Sequence, residues 1–471
     1  MLIKRIILAA IAVFLSGSLH SQIQFAPFAA TVTGSSADAV AIGDLNNDGL
    51  NDVALGNGFY FDLENDYRIL VYLQNTAGNL DAPAKYPYQS TSSGANITSL
   101  KIIDLNNDSR NDVVLGYGTK IGILYQNDSG TLDALTEIET NLSVNSLEVS
   151  DLNNDTLPDI AISTSYQQDL KVFFQSSPGT FYAVTFPKPA VPYREMAVAD
   201  MNNDGLKDLV YATTASIHIY YQNNTGSFGN HTEYDAPMIS GSSPYLYGIA
   251  VGDLNNDGLI DIAATNYGNV PRSKIIIWYQ NASGLLDDVI LVDAYDCVEP
   301  IAIADLNNDS KNEIIVVNGG ALRVSCYEQD SNNLFYNYTN HAIPYATHYD
   351  IDGLAVGDVN NDGGKDLAIA DYNNGLVILR NTSTLAAAQF LEQQTVVYPN
   401  PATDELTIDL SEFSTIKSIA LFNASGAQLM TKNWEGTAQT ASLYLGDLAS
   451  GIYFLKIILP HQVVNQKIIK R

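Results

Sequence analysis

Cysteine, histidine and basic residues are all scarce in this chain. Its 471 residues include two cysteines, Cys297 and Cys326, so one disulfide is the most it can form. Cys297 precedes the first strand of its repeat and Cys326 falls in the third, which are not neighbours, so two buried thiols is the plainer expectation. Lys and Arg number 23 against 52 Asp and Glu, a formal charge of −29. A phosphate backbone needs clustered cations, and their shortage excludes nucleic acid as a partner. Beyond the N-terminus no apolar run approaches the roughly 18 residues of a membrane-spanning helix, and helical periodicity is absent. No nucleophile elbow, zinc motif or phosphate loop occurs. Disorder is excluded from the other side, because 46% hydrophobic and 10% aromatic residues can build a large core.

The acids are not scattered. "DLNNDGLND" begins at Asp44, and related nine-residue segments begin at Asp104, Asp151, Asp200, Asp253, Asp305 and Asp358, separated by 60, 47, 49, 53, 52 and 53 residues. A period near 50 residues marks a propeller, solenoid or array. With three acids each, the seven segments hold 21 of the 52.

Each repeat has one grammar. A short apolar strand enters the acidic segment ("VAIGD", "IAIAD"), a second leaves it ("DVALGN", "DIAATN"), and a third follows ("ILVYLQN", "IIIWYQN"). A Gly- or Asn-bearing turn then leads to a more variable fourth strand. Short β-branched and aromatic runs bounded by Gly, Asn and Asp read as antiparallel strands, and four per unit make a propeller blade. The seventh repeat stops after "GLVILRN" (375–381), while "IQFAPFAATV" (23–32) is an orphan strand before the first loop. Pairing the two would seal a ring and remove exposed sheet edges. The expected fold class is all-β: a seven-bladed β-propeller over 22–385, a linker over 386–395 and a small β-sandwich over 396–471.

The acidic loops offer side-chain oxygens at positions 1, 3, 5 and 9 and a backbone carbonyl at 7, a donor set suited to hard Ca²⁺. In the first copy these are Asp44, Asn46, Asp48 and Asp52, with the carbonyl of Leu50. The fourth copy repeats them as Asp200, Asn202, Asp204, Leu206 and Asp208, and the fifth as Asp253, Asn255, Asp257, Leu259 and Asp261. The seventh has Asp358, Asn360, Asp362, Gly364 and Asp366. These four carry Gly at position 6, where a turn through positive φ is expected. The other three put Ser109, Thr156 and Ser310 there and are expected to bind more weakly. Their ligands would be Asp104, Asn106, Asp108 and Asp112; Asp151, Asn153, Asp155 and Asp159; and Asp305, Asn307, Asp309 and Glu313. Self-bonded Asx-turns are the plainer reading of one loop. Seven copies of three crowded carboxylates call for neutralising cations, up to seven Ca²⁺. The motif contains no His or Cys, which disfavours softer metals.

These repeats resemble the FG-GAP (VCBS-type) repeats of integrin α-subunit propellers and of many secreted bacterial proteins. The resemblance covers about residues 23–385 and implies Ca²⁺ binding through positions 1, 3, 5, 7 and 9 of each loop. The tail resembles the C-terminal type A sorting domain of the type IX secretion system of Bacteroidota, through Pro399-Asn400-Pro401, "LFNASGAQL", "LASGIYFLKI" and the basic end Lys467 to Arg471. That resemblance implies passage across the outer membrane by the type IX machinery, and a secreted or cell-surface location. A carbohydrate-binding or stalk-like sandwich is the alternative. Lys4 and Arg5, the apolar run Ile6–Leu15 and small polar residues up to Ser21 read as a secretory signal over 1–21.

In this strand order the acidic loops and the third-to-fourth turns share one face. The other face collects aromatics: Phe59, Tyr60, Phe61, Tyr193, Tyr245, Tyr247, Tyr267, Tyr345 and Tyr349, with Arg272. Exposed tyrosines stack on sugars or anchor protein interfaces, although packing between blades would place them equally well. The leading reading is a non-catalytic adhesion or binding module for a glycan or protein. The rival is a polysaccharide lyase or hydrolase, for which His341 and His348, expected in one loop near Arg272, are the candidate bases. Against it, His218, His231 and His461 are the only other histidines after the signal, and the loop acids look like ligands.

Overall fold

A computed structural model describes residues 23–89, 95–164, 169–187, 194–223, 225–287, 289–319, 321–330, 333–383, 397–409, 418–423, 428–433, 440–458 and 463–471. The signal over 1–21, Tyr193 and the linker 386–395 lie outside the described residues. The chain divides into two units, Met1–Thr384 and Leu385–Arg471.

The first unit contains seven four-stranded antiparallel sheets. In six of them the strands follow one another in sequence; blade 1, for example, is Ala37–Gly43, Asp52–Asn57, Arg68–Tyr72 and Ala84–Pro87. The seventh borrows. Leu354–Gly357, Asp366–Asp371 and Gly375–Leu379 are completed by Ala29–Thr31, whose Ala30 pairs with Val377. Further back, the Ala26 N–H donates to the Arg380 carbonyl and the Thr382 N–H to that of Gln24, both at 2.8 Å. The orphan strand therefore closes the ring as expected.

Packing explains why the first three strands of each repeat read as apolar runs. The second strands are buried end to end, because each sheet is covered on both faces by its neighbours. The seam between blades 2 and 3 interleaves Leu105, Val114, Ile123, Leu147, Ile160 and Phe173. The closing seam, between blades 7 and 1, is built the same way from Val40, Leu55, Leu70, Ala368, Leu376 and Ile378. Each buried aliphatic side chain contributes about 1.5–3 kcal/mol, so closure is held like any other junction. The first strands run side by side around the axis, the last returning to the first. They leave an axial cavity of ≈ 350 Å³ whose wall includes Ala41, Lys101, Glu148, Asp352 and Ala355. Lys101 Nζ lies 2.9 Å from Glu148 and 3.4 Å from Asp352.

The second unit is a small sandwich. One sheet holds Val397–Tyr398, Glu405–Asp409 and Thr440–Tyr444; the other holds Gln428–Asn433, Ser418–Asn423, Gly451–Ile458 and Val463–Lys470. Their alternating inward residues, among them Leu406, Ile408, Ile419, Leu421, Leu455 and Ile468, form its core. Cys297 and Cys326 are both free thiols, the second fully buried.

Candidate functional site

All seven acidic segments connect the first strand of a blade to the second, and all seven fold alike. Position 6 has positive φ whatever residue occupies it: 84° at Gly49, but also 67° at Ser109, 74° at Thr156 and 68° at Ser310. Position 4, always Asn, is left-handed too, from 57° at Asn107 to 63° at Asn154. Asn tolerates that region better than most residues, which accounts for the doubled Asn of the motif. Position 1 anchors the turn. Asp44 Oδ1 accepts the N–H of Asn46, Asn47 and Asp48, and its Oδ2 accepts that of Gly49 at 2.8 Å. Position 5 accepts the N–H of position 7, as in Leu50 to Asp48 at 2.9 Å.

Position 9 differs in kind. Asp52, Asp112, Asp159, Asp208, Asp261 and Asp366 are 0% exposed and Glu313 1%. Asp52 accepts the N–H of Leu45 at 2.8 Å and that of Gln74, just after the third strand, at 2.7 Å. The same pair of backbone bonds recurs at Asp112, Asp159, Asp208, Asp261 and Asp366. Burial, partly offset by these bonds and reinforced by the other loop carboxylates, pushes Asp52 up to about 6, Asp208 to about 7 and Glu313 to about 8. The recurrent Gln of "YQN" completes the staple, its amide donating to the carbonyl of position 8, as Gln74 does to Asn51 at 3.0 Å. Asn381 does the same in blade 7, donating to Lys365.

Loops also lock to their neighbours. The Asn51 amide donates to the Asp358 carbonyl of blade 7, Asn111 to Asp44, and Asn312 to Asp253. The third-to-fourth turns seat on the preceding loop so closely that a Cβ at Gly78 would stand 2.5 Å from the Asn360 carbonyl oxygen.

The four glycine loops share one further contact. The amide of position 3 lies 3.0–3.1 Å from the position 5 carboxylate in the pairs Asn46–Asp48, Asn202–Asp204, Asn255–Asp257 and Asn360–Asp362. In blade 2, Arg110 instead reaches Asp108 at 2.6 Å and Asp128 at 2.9 Å. In blade 6 the Asn307 amide turns to Glu313. Among the described residues no three acidic, histidine or cysteine side chains are gathered as a ready metal cluster; the loop oxygens face backbone N–H groups. The donor set itself, carboxylate and amide oxygens with a buried acid beneath, is chemically suited to a hard cation.

The opposite face is irregular. Tyr60 and Phe61 are 52% and 86% exposed, and Tyr245, Tyr267 and Tyr345 are exposed as well. Tyr349 is buried instead, its hydroxyl donating to Asp371 at 3.1 Å, and Phe59 stacks on Tyr67 at 5.8 Å. The expected His341–His348 loop does not exist. His341 belongs to strand Asn337–Ala342 and packs edge-on against Phe25 at 4.8 Å. His348 packs against Tyr372 with ring centroids 4.1 Å apart and planes tilted by 43°, and Arg272 donates to the Ser243 carbonyl. Sequence reasoning also missed a Ser216–His218–Glu233 contact. Ser216 Oγ is 3.1 Å from His218 Nε2 and donates to Glu233 at 3.0 Å, but Ser216 and His218 are buried, at 5% and 1% exposed.

Beneath the aromatics lie acids. Asp38 is 2% exposed, and neither of its oxygens makes a well-formed hydrogen bond, although Ser36 and Asn96 flank it. Burial, then the charge of Asp350, pushes Asp38 up to about 8. Glu299 is also pushed up to about 8 by burial, with Asp350 adding to it against one bond from the Tyr349 N–H at 3.0 Å.

A profile described as "FG-GAP-like repeat" matches residues 44–115, 104–162, 151–211, 200–264, 253–316 and 305–369. Each match runs from one acidic loop into the second strand of the next blade, so seven loops give six spans. "Secretion system C-terminal sorting domain" matches residues 396–471. No curated protein matches the sequence. Among solved structures, BBS1N in complex with ARL6DN shares the fold at TM-score 0.51 and 11% identity, covering 76% of this chain and 96% of that one. A periplasmic gluconolactonase of Pseudomonas aeruginosa gives 0.49 and 15%, covering 67% and 87%. An Agrocybe aegerita lectin that recognises non-reducing terminal N-acetylglucosamine gives 0.48 and 15%, covering 66% and 80%.

Proposed function

Because this chain belongs to the FG-GAP-like repeat proteins and ends in a secretion-system sorting domain, we propose that it is exported as a calcium-stiffened, non-catalytic binding module. Its ligand, a glycan or a protein, docks on the aromatic face. One observation carries the calcium part: seven loops with the same left-handed turn residues hold three carboxylates each, and among the described residues only Arg110 brings a basic group into hydrogen-bond contact with one. Positions 1, 3 and 5 would hold the ion with the position 7 carbonyl. The buried position 9 carboxylate would complete the set while keeping its two backbone bonds, since each oxygen has a second lone pair. The bound ion would supply positive charge directly among the carboxylates, where only Arg110 otherwise makes a basic contact among the described residues.

The binding part is supported by the exposed tyrosines, which lie opposite the loops and clear of the strands that build the ring. Thermal unfolding and elemental analysis with and without chelator test the first part. A glycan array and a pull-down with the calcium-loaded protein test the second, and a binder leaves the glycans it captures uncleaved.

A further inference from the structure

We infer that the mouth of the ring on the aromatic face receives a protein ligand through a lysine or arginine side chain, whose charged head meets the carboxylates of Asp350, Asp38 and Glu299. This inference rests on the binding-module reading and specifies its ligand. Three observations converge on it. First, among the described residues no lysine or arginine forms an ion pair with these acids. Lys101 is held by Glu148 and Asp352, Arg194 lies over the ring of Tyr245 at 4.4 Å, and His348 is the one basic group acting on Asp350. Second, Asp38 is a buried carboxylate with no well-formed hydrogen bond. An acid kept in that state is costly to the fold unless something else partners it. The carboxylates pack against bare backbone: a Cβ at Gly58 would collide with the Asp38 and Asn96 side chains, and one at Gly319 with Glu299. Third, the rim is aromatic: His348 packs tilted against Tyr372, and exposed Tyr60 meets Tyr372 edge-on at 6.0 Å.

The chemistry of the occupant follows from depth and spread. The acids come from separate blades, Asp38 from the first and Glu299 from the sixth, and both are buried, which favours an extended organic cation. An amino sugar carries its ammonium on the ring, with no flexible stem to extend it towards buried acids. Lysine and arginine carry theirs on a flexible aliphatic stem that packs against aromatic faces while the head makes cation–π and ionic contacts.

The test uses the full chain in calcium buffer and three probes. These are an acetylated, amidated Gly-Gly-Lys-Gly-Gly peptide, the same peptide with norleucine for lysine, and a neutral N-acetylglucosamine hexamer, each titrated by calorimetry. The lysine peptide should bind at least about tenfold more tightly than the norleucine peptide, a gap of about 1.4 kcal/mol. Asp350→Asn and Glu299→Gln should each remove most of that gap, while Glu139→Gln on an exposed outer strand should leave it. Circular dichroism checks that the variants fold. Equal binding of the two peptides, or equal losses in Glu139→Gln and Asp350→Asn, overturns the inference. Binding of the hexamer alone overturns it while sparing the binding-module reading, and binding of no probe overturns it as well.

Discussion

The two faces of the propeller treat carboxylates in opposite ways. On the loop face the chain satisfies its own acids: Asp44 takes four backbone N–H groups and Asp52 two. Around the mouth of the other face, Asp38 is buried without a well-formed partner and Asp350 stands close enough to raise it. The paired backbone bonds of the buried ninth-position aspartate recur in six of the seven loops, whereas among the described residues Asp38 alone is a buried carboxylate with both oxygens left without a well-formed hydrogen bond. Recurrence marks what each blade needs in order to fold and seat on its neighbour. The irregular face breaks local rules at a cost in stability, which is where a ligand is expected.

The largest way to break this contrast is to remove an acid the backbone depends on. Asp208→Ala orphans the N–H groups of Met201 and Gln222 and should destabilise by about 2–4 kcal/mol, read as a lower denaturation midpoint even in chelator. On the mouth side the sign reverses. The folded-state value of Asp38 lies near 8, far above its ordinary 3.8, so the folded protein holds a proton that the unfolded chain releases. Its contribution is complete below about pH 4 and is lost as the pH rises towards 8. Asp38→Asn should therefore raise the melting temperature, by more at pH 8 than at pH 5. Asp350, Tyr88, Tyr372, Ser36 and Asn96 face that group, so an Asp350→Asn background should shrink the gain. An Asp38→Asn variant less stable than the parent at pH 8 would contradict the account.

Smaller effects sharpen the division among the loops. Ser109→Gly, Thr156→Gly and Ser310→Gly each relieve a left-handed residue and should stabilise by about 1 kcal/mol; Gly205→Ala should cost a similar amount. Least of all, Tyr60→Ala should leave the melting temperature unchanged while weakening ligand capture.

Much of the ring was legible because its signals are periodic. Alternating strand and turn residues give the blades, and the missing fourth strand of the last repeat, set against the orphan at 23–32, gives the closure later seen in Ala29–Thr31. What stayed hidden depends on contacts between segments far apart in the chain. Position 9 reads as one oxygen among four, and nothing local shows that the Gln74 N–H, 22 residues on, will claim it. The Gln of "YQN" reads as part of a turn, although its seven recurrences, Asn381 included, were the available signal. Strand ends are blurred in the sequence as well, so it does not show that His341 closes a strand apart from His348, or that the Tyr349 hydroxyl is drawn inward by Asp371.

The account depends most on calcium in the loops, and one paired measurement reaches it directly: calcium content by elemental analysis alongside thermal unfolding with and without EDTA. Each site held at a hundredfold excess over its Kd adds about 2.7 kcal/mol. Several calcium ions per chain and a melting temperature that falls sharply in EDTA are predicted, with the glycine loops of blades 1, 4, 5 and 7 losing their ions last. A calcium-free protein whose unfolding EDTA leaves unmoved would contradict it.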